Sequence, residues 1–114
     1  MAFSFDSIGE RIVSFKAATN ADIDYPCAVI DNDTVGEPAD QGDIIGVVRS
    51  VRNGIAGVVV SGCITLPYTG TAPTCGYQTL GYDNDTSSMK VISGCKSYLV
   101  VHVDTTEKTV TFFL

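Results

Sequence analysis

An all-β fold, a small barrel or sandwich of about eight short, mostly antiparallel strands joined by hairpins, is what this sequence predicts. Three observations carry the prediction. Two apolar runs flank Asn53-Gly54, the dipeptide whose positive φ angles a tight type I′ hairpin requires. From Ile55 onward the residues alternate, with Ala56, Val58, Val60, Gly62, Ile64 and Leu66 on one face and Ile55, Gly57, Val59, Ser61, Cys63 and Thr65 on the other. Finally, β-branched residues crowd Asp43 to Leu66, where Gly46, Gly54, Gly57 and Gly62 would each cost a helix about 1 kcal/mol.

The remaining elements follow in order. Residues 1–8 form an N-terminal arm in which Phe3 and Phe5 are the apolar anchors, and residues 9–114 form a single β domain. Between Glu10 and Thr19, Val13, Phe15 and Ala17 alternate with Ile12, Ser14 and Lys16, a strand pattern in which the absence of Gly and Pro leaves a helix as the competitor. Asn20 to Gly42 is acidic and loop-like, interrupted by a short strand at Cys27 to Ile30. Asp31-x-Asp33 and Asp83-x-Asp85 resemble the opening of a calcium loop, but Gly42 and Gly94 stand where a bidentate Glu belongs, so both read as solvated tips.

After the central hairpin, Pro67 to Gly76 reads as a loop kept out of any sheet interior by its prolines and glycines, with Pro67, Tyr68 and Pro73 available to a partner. Tyr77 to Tyr82 and Met89 to Ile92 predict a hairpin around the tip Asp83 to Ser88. Ser97 to Val103 and Thr109 to Leu114 predict the last two strands. No repeat of fixed period stands out in the sequence.

Composition bounds the function. Of 114 residues, 45% are hydrophobic and 18% charged, which excludes extensive disorder, and the mean hydropathy of +0.22 suggests apolar surface covered by another molecule. Thirteen acidic residues against seven basic ones give a net charge of −6, unsuited to nucleic acid. The opening MAFSFDSIGER has neither a basic start nor an apolar stretch, and no run is long enough for a membrane helix; both point to intracellular synthesis without membrane contact. Asn32-Asp33-Thr34 and Asn84-Asp85-Thr86 match the glycosylation pattern but read as polar tips in that setting.

Cys27, Cys63, Cys75 and Cys95 are spaced by 36, 12 and 20 positions, with no close pair of the kind zinc or redox chemistry uses, so they read mainly as core or loop thiols, with one disulfide as the alternative. The single histidine, His102, sits in a strand without a nucleophile motif beside it, and no phosphate- or dinucleotide-binding loop is present. The expectation is a non-enzyme with no cofactor, metal or small-molecule substrate.

Gly42-Asp43-Ile44-Ile45-Gly46-Val47, Ala56-Gly57 followed by Val58-Val59-Val60-x-Gly62, Leu66-Pro67, Gly76-Tyr77 and the closing Thr109-Val110-Thr111-Phe112-Phe113-Leu114 together resemble small capsid decoration (cement, head-stabilising) proteins of tailed bacteriophages and prophages. The likeness covers residues 9 to 114. It implies a homotrimer that binds the major capsid protein on the outside of the shell, in a virion made in the host bacterial cytoplasm. Phe3, Phe5, Pro67, Tyr68 and Pro73 are then the expected shell contacts. A head–tail joining or tail-tube-like subunit and a small ligand-binding β-barrel are the alternative readings.

Overall fold

A computed structural model describes residues 10–114; the arm, with Phe3 and Phe5, lies outside the described residues. The fold is all-β, with no helix among the described residues. The described residues form ten strands: β1 (Arg11–Ala17), β2 (Pro26–Asp31), β3 (Thr34–Gly36), β4 (Gly46–Arg52), β5 (Ile55–Ser61), β6 (Cys63–Thr69), β7 (Gly76–Asp83), β8 (Ser88–Val91), β9 (Ser97–Asp104) and β10 (Thr109–Phe113). The excess over the expected strands has two sources. β3 is only three residues long, too short for alternation to register, and the expected strand from Ile55 to Leu66 is divided at Gly62. There φ is +109°, a backbone conformation that a side chain would oppose.

The strands close into two five-stranded barrels, β1-β3-β2-β4-β5 and β10-β6-β8-β7-β9. Replacing β1 to β5 by β6 to β10 turns one ring into the other. The single parallel pair falls at the same place, β1 with β3 and β6 with β8, and every other neighbour is antiparallel. Registers match as well. Val48–Val58, Ser50–Gly57 and Val51–Ala56 in the first barrel correspond to Val100–Phe112, His102–Thr111 and Val103–Val110 in the second, each ladder bulged at the same step. Both β2–β3 and β7–β8 turn at Asp-Asn-Asp-Thr, residues 31–34 and 83–86. The chain is thus a structural repeat of two barrels, a relation the sequence reading missed.

Asn53 and Gly54 turn the β4–β5 hairpin with φ of +51° and +75°, as a type I′ turn demands. The central hairpin serves two cores. Val48, Ala56 and Val58 fill the first barrel together with Cys27 and Val35, a small cluster of small side chains. Val47 and Val59 point the other way and join Ile44 in the larger core of the second barrel, built on Tyr68, Leu80, Tyr82, Met89, Tyr98, Val100, Val110 and Phe112. Tyr98 and Phe112 pack with ring centroids 5.0 Å apart.

The expectation for the stretch after Leu66 needs correction. Pro67 and Tyr68 belong to β6, not to a surface loop, because the Tyr68 amide donates to the Lys108 carbonyl (3.0 Å) while Pro67 pairs with Thr109. That register turns the proline nitrogen away from β10, so its missing N–H leaves no gap in the ladder.

Candidate interaction surface

The segment between β3 and β4, residues 37–45, crosses from the first barrel to the second. It docks beside β7 like an added strand: the Gln41 amide donates to the Tyr82 carbonyl (2.7 Å) and the Tyr82 amide to the Gly42 carbonyl (2.9 Å). Side chains complete the seam. The Lys96 amide donates to Asp43 Oδ1 (2.9 Å), the Asn84 amide to Asp40 Oδ1 (3.1 Å), and the Tyr82 hydroxyl to Glu37 Oε2 (3.0 Å). Tyr98 donates its hydroxyl to the Ile44 carbonyl (3.2 Å), and Cys95 Sγ donates to the Gln41 carbonyl (3.3 Å). Acidic residues of this segment therefore hold the barrels together, because charged acceptors satisfy two backbone amides and a tyrosine hydroxyl of the second barrel.

Large apolar side chains that remain exposed are unevenly spread. Ile12, Val13, Ile23, Tyr25, Val29, Ile30, Val51 and Ile55 lie in the first barrel, and Tyr77 in the second. Ile23 and Tyr25 are displayed by a rigid device. The Tyr25 amide donates back to the Asp22 carbonyl (3.3 Å), Asp24 takes a φ of +71°, and Val48 bonds the turn on both sides, its carbonyl accepting from Asp24 and its amide donating to the Tyr25 carbonyl. A pinned turn presenting two half-exposed apolar side chains loses little conformational entropy when a partner covers it. Tyr25 also borders a crevice of about 150 Å³ between the barrels, shared with Asn20, Asp22, Glu37, Tyr82 and Ser87. A second crevice of about 210 Å³ runs between Val47 and Arg49 on β4 and Ile64 to Leu66 on β6. Both are below the roughly 300 Å³ at which pockets for drug-sized ligands begin.

The residues expected to meet a partner are not brought together. Tyr68 is buried in the second core and Pro73 is also buried, so neither side chain is available; Pro67 is exposed on β6. Phe3 and Phe5 are outside the described residues. The reading missed Ile23 and Tyr25 because the acidity of Asn20 to Gly42 masked them, although an Ile and a Tyr alternating with Asp22 and Asp24 are themselves a signal.

Cys27 in the first core, and Tyr98 and Cys95 at the junction, are held toward their neutral forms. Burial raises the Cys27 thiol to about 12. Tyr98 is likewise pushed up to about 12, mainly by burial, with the Asp43 carboxylate and Cys95 adding to it. Cys95 is raised by burial and by Asp43. Thiols moved in this direction carry less thiolate at neutral pH, the reverse of an activated nucleophile. His102 is exposed on β9 opposite Thr111, and among the described residues no three His, Cys, Asp or Glu side chains gather as metal ligands would.

Compared with known proteins, the chain matches no family model, no curated protein and no solved structure.

Proposed function

We propose that this chain is a virion structural protein that binds the outer surface of a tailed-phage shell and stabilises it through protein–protein contacts, in keeping with the decoration-protein resemblance of residues 9 to 114. The observation that carries the reading is the pinned turn Asp22–Tyr25, which holds Ile23 and Tyr25 half exposed on the barrel that has the smaller core. Apolar side chains on a fixed frame suit a preformed protein surface, and the net charge of −6 suits neither nucleic acid nor an anionic membrane. A homotrimer would engage several capsid subunits at once, so weak single contacts would sum to firm attachment. Co-sedimentation with expanded shells assembled from the major capsid protein of the same phage tests the proposal. Saturable binding to expanded shells supports it; protein left in the supernatant at every ratio contradicts it.

A further inference from the structure

In the second barrel the edge of β7 at Tyr82 is occupied: its carbonyl accepts from the Gln41 amide and its amide donates to the Gly42 carbonyl. Tyr82 faces Met89 on β8, and the matching pair in the first barrel is Val29 with Val35. The Val35 carbonyl is turned toward β1, where it accepts from the Ala18 amide (2.9 Å), so Val29 and Val35 point their backbone groups away from each other. The amide and carbonyl of Val29 therefore face the edge of β2 on which the Cys27 carbonyl accepts from the Ile45 amide (2.9 Å). β4 pairs with β2 only at Pro26 and Cys27, and beyond them no described residue pairs with Val29 on that side. Side chains at this end of the barrel are open as well. Val13 lies opposite fully buried Val58, and Val29 opposite fully buried Val35, so both point with the core; yet they are 38% and 52% exposed. The first core is also short of bulk, with Ala17, Val29 and Val58 standing where the second barrel has Tyr68, Tyr82 and Phe112.

We propose that the chain's own N-terminal arm, residues 1–9, crosses this open end and pairs with the free edge of β2, burying Phe3 and Phe5 against Val13 and Val29. The arm starts from the right place. β1 runs parallel to β3 and β3 antiparallel to β2, so the Arg11 end of β1 and the Asp31 end of β2 lie together. Nine residues reach about 30 Å when extended, enough to cross the mouth of one small barrel. In the sequence Met1, Phe3 and Phe5 alternate with Ala2, Ser4 and Asp6, which gives a strand one apolar face for the valines and leaves its backbone groups for the edge. The turn at Ile23 and Tyr25 lies on the far side of Pro26 and Cys27 from Val29 and stays open. Phe3 and Phe5 thus complete the first barrel instead of meeting a shell. The inference does not depend on shell binding, because its test uses the protein alone.

Nuclear magnetic resonance of the full chain at two concentrations gives the decisive reading. In the wild type, the ring protons of Phe3 and Phe5 are expected to contact the methyls of Val13 and Val29 at both concentrations, and the Val29 amide to be protected from hydrogen exchange. Phe3→Asp and Phe5→Asp combined in one chain are expected to speed exchange at Val29 about tenfold or more, since the arm then has no apolar hold on the barrel. Val58, paired on both sides by β1 and β4, should exchange as before and so reports that the variant is folded. If Val58 exchange rises too, the wild-type contacts decide alone. Absence of those contacts, or unchanged Val29 exchange in the folded variant, overturns the proposal. Contacts that vanish on dilution overturn it in favour of another copy's arm, and a Val29 amide protected only when shells are added overturns it in favour of a strand from the shell.

Discussion

Val47 and Val59 stand opposite each other across the β4–β5 ladder, and both side chains leave their own barrel to pack in the core of the other. One hairpin thus carries apolar residues for two cores, Val48 and Val58 on its inner face and Val47 and Val59 on its outer one. The two barrels should lose their structure together. Val59→Ala is expected to cost about 2–3 kcal/mol, from lost methyl burial plus the cavity left behind. In urea unfolding, tyrosine fluorescence and far-ultraviolet circular dichroism should move as one shifted transition. Two separated transitions would mean that the barrels are energetically independent.

Gly46 lies so close to β5 that a Cβ there would run into the Val59 carbonyl oxygen, part of the backbone rather than a side chain that can swing away. Gly46→Ala should therefore be among the most damaging single-methyl changes, costing more than about 3 kcal/mol. Gly54→Ala makes the comparison informative. A Cβ at Gly54 meets nothing, so its cost is limited to the left-handed backbone, about 1–2 kcal/mol. Equal thermal midpoints for the two variants would contradict the packing described.

Alkaline stability follows from the groups whose proton is held by the fold. Tyr98 ionises near 10 when exposed and near 12 in the folded chain, and Cys27 near 9 and near 12. Between those limits the folded state binds more protons than the unfolded one, so the stabilisation present below about pH 9 declines as pH rises toward 12. Tyr98→Phe removes one of these groups, along with the hydrogen bond to the Ile44 carbonyl. It should lower stability at pH 7 by about 1 kcal/mol and flatten the decline above pH 10. Urea midpoints measured from pH 7 to 12 check both effects; an unchanged alkaline slope would count against a buried Tyr98.

Thiol accessibility offers an independent check. Cys75 is exposed, whereas Cys27 is buried and its ionisation suppressed. Timed alkylation of native protein followed by peptide mapping should label Cys75 first and Cys27 only on unfolding. Early labelling of Cys27 would place it outside the first core.

Much of the fold was legible because the alternation in β5, β6, β9 and β10 and the Asn53-Gly54 turn are local signals. The repeat was not. Apart from Asp-Asn-Asp-Thr at residues 31–34 and 83–86, equivalence between the barrels lies in pairing order and bulge position, while the core residues that occupy equivalent sites differ widely in size, as Ala17 does from Tyr68 and Val35 from Met89. Tyr68 was misplaced because prolines and glycine around it signalled a loop, and Pro67 is accommodated only by a register that sequence does not display. The turn at Ile23 and Tyr25 was hidden for a different reason: its shape comes from bonds to Val48, more than twenty positions away. The acidic segment read only as a loop because its partners, two backbone amides and the Tyr82 hydroxyl, belong to the other barrel.

The proposed attachment to a shell assigns the gripping surface to the first barrel. Co-sedimentation of expanded shells with Ile23→Asp and with Tyr77→Ser tests it most directly, since each change falls on an exposed side chain and spares both cores. Loss of attachment for Ile23→Asp with wild-type attachment for Tyr77→Ser is the predicted result; undiminished attachment of Ile23→Asp would contradict the account.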